Sequence, residues 1–84
     1  MTKSLIFEIA EVDSYAGYRG EERPVAIYYQ QEKWVIETII DQWFEGPLTA
    51  GKPSYRYFKV RTIKDRIFIL RYNTSLHIWS VLLK

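Results

Sequence analysis

The chain contains no cysteine, and its 84 residues include only four glycines, three prolines, one methionine and one histidine. Without cysteine the protein has neither disulfides nor thiolate metal ligands, which suits a reducing compartment. One histidine leaves little for a metal site, which needs three or four convergent ligands. A glycine-rich phosphate loop and a G-x-S-x-G motif are also missing. These absences predict a protein that is not an enzyme and uses no cofactor.

Long hydrophobic runs are missing as well. The apolar stretch near the N-terminus has about five residues and is interrupted by Glu8, so it is shorter than the core of a signal peptide and far shorter than a membrane span. We therefore expect a soluble, cytoplasmic protein. Because the chain shows no repeat, linker or low-complexity segment, we expect residues 1–84 to form a single domain.

Aromatic residues are abundant, with seven tyrosines, four phenylalanines and three tryptophans. A chain this short needs a dense core, and each buried ring removes about 150–250 Å² from water. We expect Trp34, Trp43 and Trp79 in the core. Trp43 is the candidate exception, because it stands beside a Gly-Pro loop where an exposed ring would anchor a partner.

The local pattern is typical of β-structure along most of the chain. In residues 4–12, Leu5, Phe7 and Ile9 occupy every second position, which predicts a strand with one buried face. Residues 13–23 hold two glycines and five charges and are expected to form a loop. Pro24 is expected as the first residue of the next strand, where it costs no ladder hydrogen bond.

Residues 34–43 are ambiguous. Ile36, Ile39, Ile40 and Trp43 fit the spacing of a helix, whereas the many β-branched residues favour a strand. A β-bulge would explain both the spacing and the composition, because one extra residue changes which side chains of a strand point inward. We interpret the segment as a bulged or bent strand and keep a short helix as the alternative.

The second half of the chain predicts three more strands, over residues 55–62, 66–72 and 76–84, with turns at Lys64-Asp65 and 73–75. In all, the sequence predicts an all-β domain. Its six antiparallel strands would form a meander that closes into a small barrel or a strongly bent sheet, of the size of SH3-like and OB-like domains.

Charge is distributed unevenly between the two halves. Residues 1–46 carry nine acids and four bases, whereas residues 47–84 carry eight bases and one acid. Such asymmetry indicates either a surface that faces an anionic partner or a basic half that pairs with an acidic one. The sequence leaves both interpretations open.

Bases and aromatic side chains interleave over residues 55–72. If Phe58 and Val60 face the core, the tyrosines and cations of residues 55–61 share the outer face. Flat rings and cations on one face can hold single-stranded nucleic acid, although such residues are also common on exposed strands that bind nothing. Which side chains of residues 66–72 join this outer face depends on the register of the two paired strands. The candidate partner-binding residues are Trp43, Tyr55, Tyr57, Lys59, Arg61, Arg66, Arg71 and Tyr72.

His77, Glu37 and Asp41 are the only conceivable metal-binding set, and nothing in their spacing recommends it. We expect His77 to be a partly exposed residue of the last strand. Along a strand, Glu37 and Asp41 would lie about 13 Å apart, too far for the paired carboxylates of a glycosidase. No catalytic or metal-binding residue is predicted.

Several short motifs resemble a family of small bacterial domains of unknown function. They are Arg23-Pro24, the I-I-D-Q-W run at 39–43, the V-R-T run at 60–62, L-R-Y at 70–72 and a closing Trp79. The likeness covers residues 23–82 and departs from the family pattern at Lys64-Asp65, where a glycine is usual. The resemblance implies an accessory role near error-prone DNA-synthesis systems, with no catalytic residues.

The sequence therefore predicts a non-catalytic binding module for nucleic acid or an acidic partner. The alternative is a protein-interaction or homo-oligomerisation domain that pairs through an edge strand, either the first strand or the C-terminal one.

Overall fold

A computed structural model describes residues 5–16, 22–46 and 54–83. These residues form seven strands: β1 (Phe7–Ile9), β2 (Glu11–Ala16), β3 (Glu22–Tyr29), β4 (Glu32–Glu45), β5 (Tyr55–Thr62), β6 (Ile67–Asn73) and β7 (Ile78–Leu82). Neighbouring strands are antiparallel, in the order β1-β7-β6-β5-β4-β3-β2. The all-β meander is confirmed, with seven strands instead of six. No helix long and apolar enough to span a membrane occurs in these ranges.

The two ends of the strand order are consecutive in the chain. Only Ala10 separates β1 from β2, and its N–H donates to the carbonyl oxygen of Trp79 at 3.0 Å. β1 pairs with β7, whereas β2 pairs with β3. One N-terminal stretch thus holds both ends of the curled sheet and gives it its barrel-like shape. The strand predicted over residues 4–12 is split at Ala10, which accounts for the additional strand.

The loop predicted over residues 13–23 is wrong at both ends. Residues 13–16 belong to β2 and residues 22–23 to β3, while residues 17–21 lie outside the described part of the chain. Period-2 hydrophobicity is weak here because the side chains are polar, so only the pairing with the neighbouring strand identifies these residues as β-structure.

Pro24 is the third residue of β3, not the first as expected, and it is buried opposite Ser14. The pairing passes from Asp13 opposite Ala26 to Ser14 opposite Pro24, which leaves Val25 as an extra residue. This is a β-bulge, one of the few places where a sheet accepts a residue without an N–H donor.

Two hairpin turns use residues with positive φ. Gln30 and Gln31, at 53° and 63°, form the two-residue turn from β3 to β4. Both central residues of a type I′ turn have this conformation, which matches the twist of the flanking strands. Asp65, with φ at 66°, lies in the predicted turn from β5 to β6, and its N–H donates to Thr62.

The ambiguous segment is a bulged strand, as predicted. Ile36 pairs with Thr62 and Ile39 with Val60, so β4 contains one more residue than β5 between them. The extra residue is Glu37, and Ile40 is a second one closer to the end of β4. The helix-like spacing of Ile36 and Ile39 therefore arises from a bulge that returns both side chains to the inner face.

The core lies on the inner face of the curled sheet. It consists of Ile27, Phe58, Val60, Phe68, Leu70, Tyr72, Trp79 and Val81. The alternation predicted for β5 is confirmed, since Phe58 and Val60 are fully buried. Trp79 is buried as expected, and the half-buried Trp34 packs edge-on against Phe68 at 5.5 Å between ring centres. Each fully buried apolar side chain stabilises the fold by about 1.5–3 kcal/mol.

We expect Leu70→Ala to lower the free energy of unfolding by about 2–5 kcal/mol, because Leu70 is fully buried and the cavity would be lined by packed rings. Urea denaturation followed by tryptophan fluorescence measures the change. Leu76→Ala is the matched control, because Leu76 is 66% exposed and its loss should cost less than about 0.5 kcal/mol. Equal losses for the two variants would contradict this assignment of the core.

Candidate partner-binding face

The outer face of the sheet carries a cluster of rings around the middle of β5. The register places Tyr57 between Trp43 of β4 and Arg71 of β6. Tyr55 lies two residues from Tyr57 on the same strand face, and Phe7 of β1 completes the group. We call Phe7, Trp43, Tyr55, Tyr57 and Arg71 the outer patch.

Trp43 reaches this face because of the bulge at Ile40. Every second side chain of a strand points to the same face. Without the extra residue, Trp43 would therefore point to the core, as Ile39 does. With it, Trp43 stands opposite Tyr57, and the two rings stack at 5.3 Å with their planes 4° apart. Trp43 remains 42% exposed, so the expectation that it is the exception among the three tryptophans is confirmed.

Arg71 joins the remaining rings of the outer patch. Its guanidinium carbon lies 4.0 Å from the ring centre of Phe7 and 4.6 Å from that of Tyr55. Such cation–π contacts contribute about 0.5–2 kcal/mol each and hold the flexible arginine in place. The patch therefore presents aromatic rings that are already fixed relative to one another.

Sequence reasoning missed Phe7 as a member of this site. The alternation of Leu5, Phe7 and Ile9 predicts a buried face, yet Phe7 pairs with Leu82 and Ile9 with Ser80 on the outer face. Ile9 is 73% exposed and Leu5 is 66% exposed. The sequence holds no signal for this outcome, because the same alternation fits a buried face and an outer one, and the pairing with β7 decides between them.

Tyr57 is linked to the end of β4 by a hydrogen bond. Its hydroxyl donates to Oε1 of Glu45 at 2.8 Å. Burial raises the pKa of Tyr57, the hydrogen bond to Glu45 and its negative charge raise that pKa further, and the neighbouring Arg71 opposes part of the rise. The hydroxyl therefore stays protonated at neutral pH and keeps Glu45 oriented.

Cations of β5 face acids of β4. Arg61 Nε lies 3.4 Å from Glu37 Oε1, and Lys59 stands opposite Asp41 in the register. In the turn after β5, Lys64 forms an ion pair with Glu32. Two bases of the second half of the chain, Arg61 and Lys64, thus pair with acids of the first half. This arrangement supports the interpretation in which the charge asymmetry is satisfied inside the fold.

Two of the predicted site residues, Tyr72 and Arg66, do not lie on the outer face of the sheet. Tyr72 belongs to the core, with only 6% of its surface exposed, and its hydroxyl lies 2.7 Å from Nδ1 of His77. Burial raises the pKa of Tyr72. Arg66 precedes β6 and covers the inner-face rings of Trp34 and Phe68. Of the three predicted site residues at positions 66–72, only Arg71 lies on the outer face.

The acidic and histidine candidates are also separated. His77 lies in the turn before β7 with φ at 56°, so its predicted place in the last strand is wrong. Glu37 faces Arg61, and Asp41 accepts a hydrogen bond from the N–H of Gln42 at 2.9 Å. Over residues 5–16, 22–46 and 54–83, no three metal-ligating side chains converge.

A groove of about 370 Å³ adjoins the outer patch. It is lined by Leu5, Phe7, Trp43, Phe44, Glu45, Tyr57, Ile69 and Leu82. Phe44 is 63% exposed and stands at the end of β4 next to Trp43. Exposed apolar side chains gathered around one concave surface are typical of a protein-interaction site.

β4 provides an open edge beside this groove. β3 pairs only with residues 32–35 of β4, whereas residues 36–45 pair with β5 alone among the described strands. The predicted C-terminal edge is wrong, because β7 lies between β1 and β6. The last strand is thus a central one, whereas the first strand, β1, stands at one end of the strand order as predicted. Residues 36–45 of β4 are a further stretch with one partner strand among the described residues.

Comparison of the chain with protein-family models, with curated proteins and with solved structures found no match.

We expect Tyr57→Phe to reduce the loss of stability at high pH. Because the pKa of Tyr57 is higher in the folded than in the unfolded chain, its stabilisation is complete below the unfolded value and is lost as pH rises through the folded value. The free energy of unfolding should therefore fall less between about pH 9 and 11 in the variant than in the parent. Urea denaturation across this range measures the difference.

Tyr15→Phe serves as the control, since Tyr15 is exposed and makes no contact with the outer patch. Its stability should follow that of the parent at every pH. A Tyr57→Phe profile parallel to the parent profile would contradict the burial and the Glu45 contact assigned to Tyr57.

Proposed function

We propose that the protein is a cytoplasmic, non-catalytic binding module, and that the outer patch together with the open edge of β4 binds an extended protein segment. The observation that carries the proposal is the Trp43 ring, stacked on Tyr57 yet 42% exposed at the wall of an apolar groove. Tryptophan, tyrosine and arginine are the residue types that dominate the energetics of protein interfaces.

The rigidity of the patch supports this role. Trp43, Tyr57 and Arg71 are held by stacking, by the Glu45 hydrogen bond and by the rings on either side of the guanidinium. A partner that binds there loses little free energy to ordering these side chains, since they are ordered before it arrives.

The open edge of β4 adds backbone donors and acceptors to the apolar groove. An extended chain that joins a sheet edge gains main-chain hydrogen bonds, and adjacent pockets select its side chains. The two bulges interrupt a long regular ladder, which limits uncontrolled pairing and favours a short segment. We therefore place the partner segment along the end of β4, next to Trp43 and Phe44.

The charges of β4 favour a different chain over a second copy. Glu37, Asp41 and Glu45 recur at every fourth position along the open part of the strand. An antiparallel pairing of two β4 strands centred on Asp41 would place Glu37 opposite Glu45 and Asp41 opposite itself. Like charges directly opposite destabilise a sheet, so a basic segment suits this edge better.

Single-stranded nucleic acid is the second candidate. It is favoured by the exposed Lys59 on the same strand face as Tyr57, an arrangement that combines a base-stacking surface with a phosphate contact. The acids opposite Lys59 and Arg61 weaken this support, because they lower the positive potential that phosphate requires.

We expect Trp43→Ala to weaken peptide binding about thirtyfold, the size of effect that truncating a central interface ring produces. Extended peptides selected from a random displayed library on the parent protein are the probes, and fluorescence anisotropy gives their affinities. We expect the selected sequences to combine apolar with basic residues. Failure to enrich any peptide, or peptides that bind Trp43→Ala as tightly as the parent, would overturn the proposal.

Leu5→Ala and Leu76→Ala form a matched control pair for this measurement. Both leucines are 66% exposed, but only Leu5 lines the groove. Leu5→Ala should lower the affinity several-fold, since it removes an apolar contact of the groove wall. Leu76→Ala should leave the affinity unchanged, and equal effects of the two would indicate non-specific adhesion.

Oligothymidylate titrated across a salt series tests the second candidate. We expect retention at low salt only, with a linear fall of log affinity against log salt. The double variant Lys59→Gln/Arg61→Gln should abolish that retention, and because it removes only exposed charge contacts it should lower the free energy of unfolding by no more than about 1 kcal/mol. Binding to oligothymidylate that persists at physiological salt and exceeds the peptide affinity would make nucleic acid the preferred partner.

A further inference from the structure

A second cleft lies where β6 and β7 separate. The last registered pair of these strands is Leu70 opposite Val81. Beyond it, Leu82 pairs with Phe7 and the N–H of Leu83 donates to Ile6 at 2.8 Å, so the chain turns toward β1. The gap has a volume of about 310 Å³ and is lined by Tyr29, Arg66, Ile67, Phe68, Ile69, Leu82 and Leu83. We call it the end cleft.

Among the residues that the structure describes, Arg66 is the one charged side chain that lines the end cleft. Its guanidinium carbon lies 4.7 Å from the ring centre of Phe68 and 5.0 Å from a ring centre of Trp34. The Tyr29 ring is 5.4 Å away. Three rings therefore surround the guanidinium and restrict its orientation.

The rings and the backbone around Arg66 are themselves fixed. Tyr29 and Trp34 both meet Phe68 edge-on, at 5.6 and 5.5 Å between ring centres. The indole N–H of Trp34 donates to the carbonyl oxygen of Tyr29 at 3.3 Å. The main chain of Arg66 exchanges hydrogen bonds with Thr62, whose hydroxyl accepts from the Arg66 N–H at 3.1 Å.

Arg66 forms no ion pair with any carboxylate in the described part of the chain. Its neighbour Lys64 also lies over Trp34, at 5.5 Å, but is paired with Glu32. A guanidinium that stacks on rings keeps its in-plane N–H groups available, and their fork matches a carboxylate. The cleft thus combines apolar side chains with one oriented cation that forms no ion pair with any described residue.

We propose that the end cleft binds an apolar chain that ends in a carboxylate, with the carboxylate on the guanidinium of Arg66 and the apolar chain along Ile67 and Leu83, the exposed apolar residues of its lining. A cleft with hydrophobic walls and one fixed polar group is the usual form of a small-ligand site, and about 310 Å³ lies at the small end of that range. The shared chemistry fits a short fatty acid or the C-terminus of a peptide. The cleft shares Ile69 and Leu82 with the groove beside the outer patch, but Trp43 does not line it, so its test uses a different reporter from the test of the proposed function.

Octanoate tests the proposal, with octanol as its neutral counterpart. Nuclear magnetic resonance separates the two sites, because the indole N–H of Trp34 reports on the end cleft and that of Trp43 reports on the outer patch. We expect octanoate to shift the Trp34 signal saturably and to leave the Trp43 signal in place. Octanol should bind at least about tenfold more weakly, because it lacks the charge-assisted hydrogen bonds.

Arg66→Gln should weaken octanoate binding by about tenfold or more, since the neutral amide cannot replace the paired N–H donors. Lys64→Gln is the matched control: it removes an equal charge over the same indole ring but does not line the cleft. Its affinity for octanoate should stay within about twofold of the parent.

A short peptide ending in leucine, compared with its C-terminal amide, distinguishes the two sources of the ligand. Tighter binding of the free-acid peptide than of octanoate would identify a peptide C-terminus, and the reverse would identify a fatty acid. The proposal is overturned if octanol binds as tightly as octanoate, if Arg66→Gln binds octanoate like the parent, or if no probe gives a saturable shift at Trp34.

Discussion

The pairing of β4 with β5 is the constraint on which the rest of this structure depends. β4 carries two residues more than β5 over their paired length, Glu37 and Ile40. The first keeps Ile36 and Ile39 on the inner face, and the second turns Trp43 to the outer face. Because side chains alternate with a period of two, each extra residue reverses the direction of every side chain that follows it. One strand therefore supplies both the core and the proposed binding face.

The same register determines which acidic side chains of β4 lie beside which basic side chains of β5. It places Asp41 opposite Lys59 and brings Glu37 next to Arg61, so negative charges of β4 lie beside positive charges of β5. Exposed ion pairs of this kind contribute only about 0–1 kcal/mol each to stability. Their larger effect is on the surface potential, since they leave the outer patch more aromatic than basic. That balance is the reason a protein segment, and not a polynucleotide, is the partner proposed for this face.

Aromatic rings and arginines meet at two separate places in the sheet. On the outer face, Arg71 lies between Phe7 and Tyr55, and at the end of the inner face Arg66 lies among Tyr29, Trp34 and Phe68. A domain of this size cannot bury all of its rings in one core, and some of them cover its faces and ends instead. Guanidinium groups pack on those remaining rings because they stay partly hydrated while doing so. Each meeting point adjoins a groove, and each is proposed as a binding site.

Alternating apolar residues in β5, the β-branched content of β4 and the turn residues at Lys64-Asp65 determined by themselves that this chain is an all-β meander, because these signals act between near neighbours in sequence. Only the tertiary structure decided that Phe7 faces outward, that Tyr72 faces inward and that the C-terminal strand is central. Those outcomes depend on pairing between residues far apart in the chain. A shift of one residue in that pairing reverses a face without changing any local pattern.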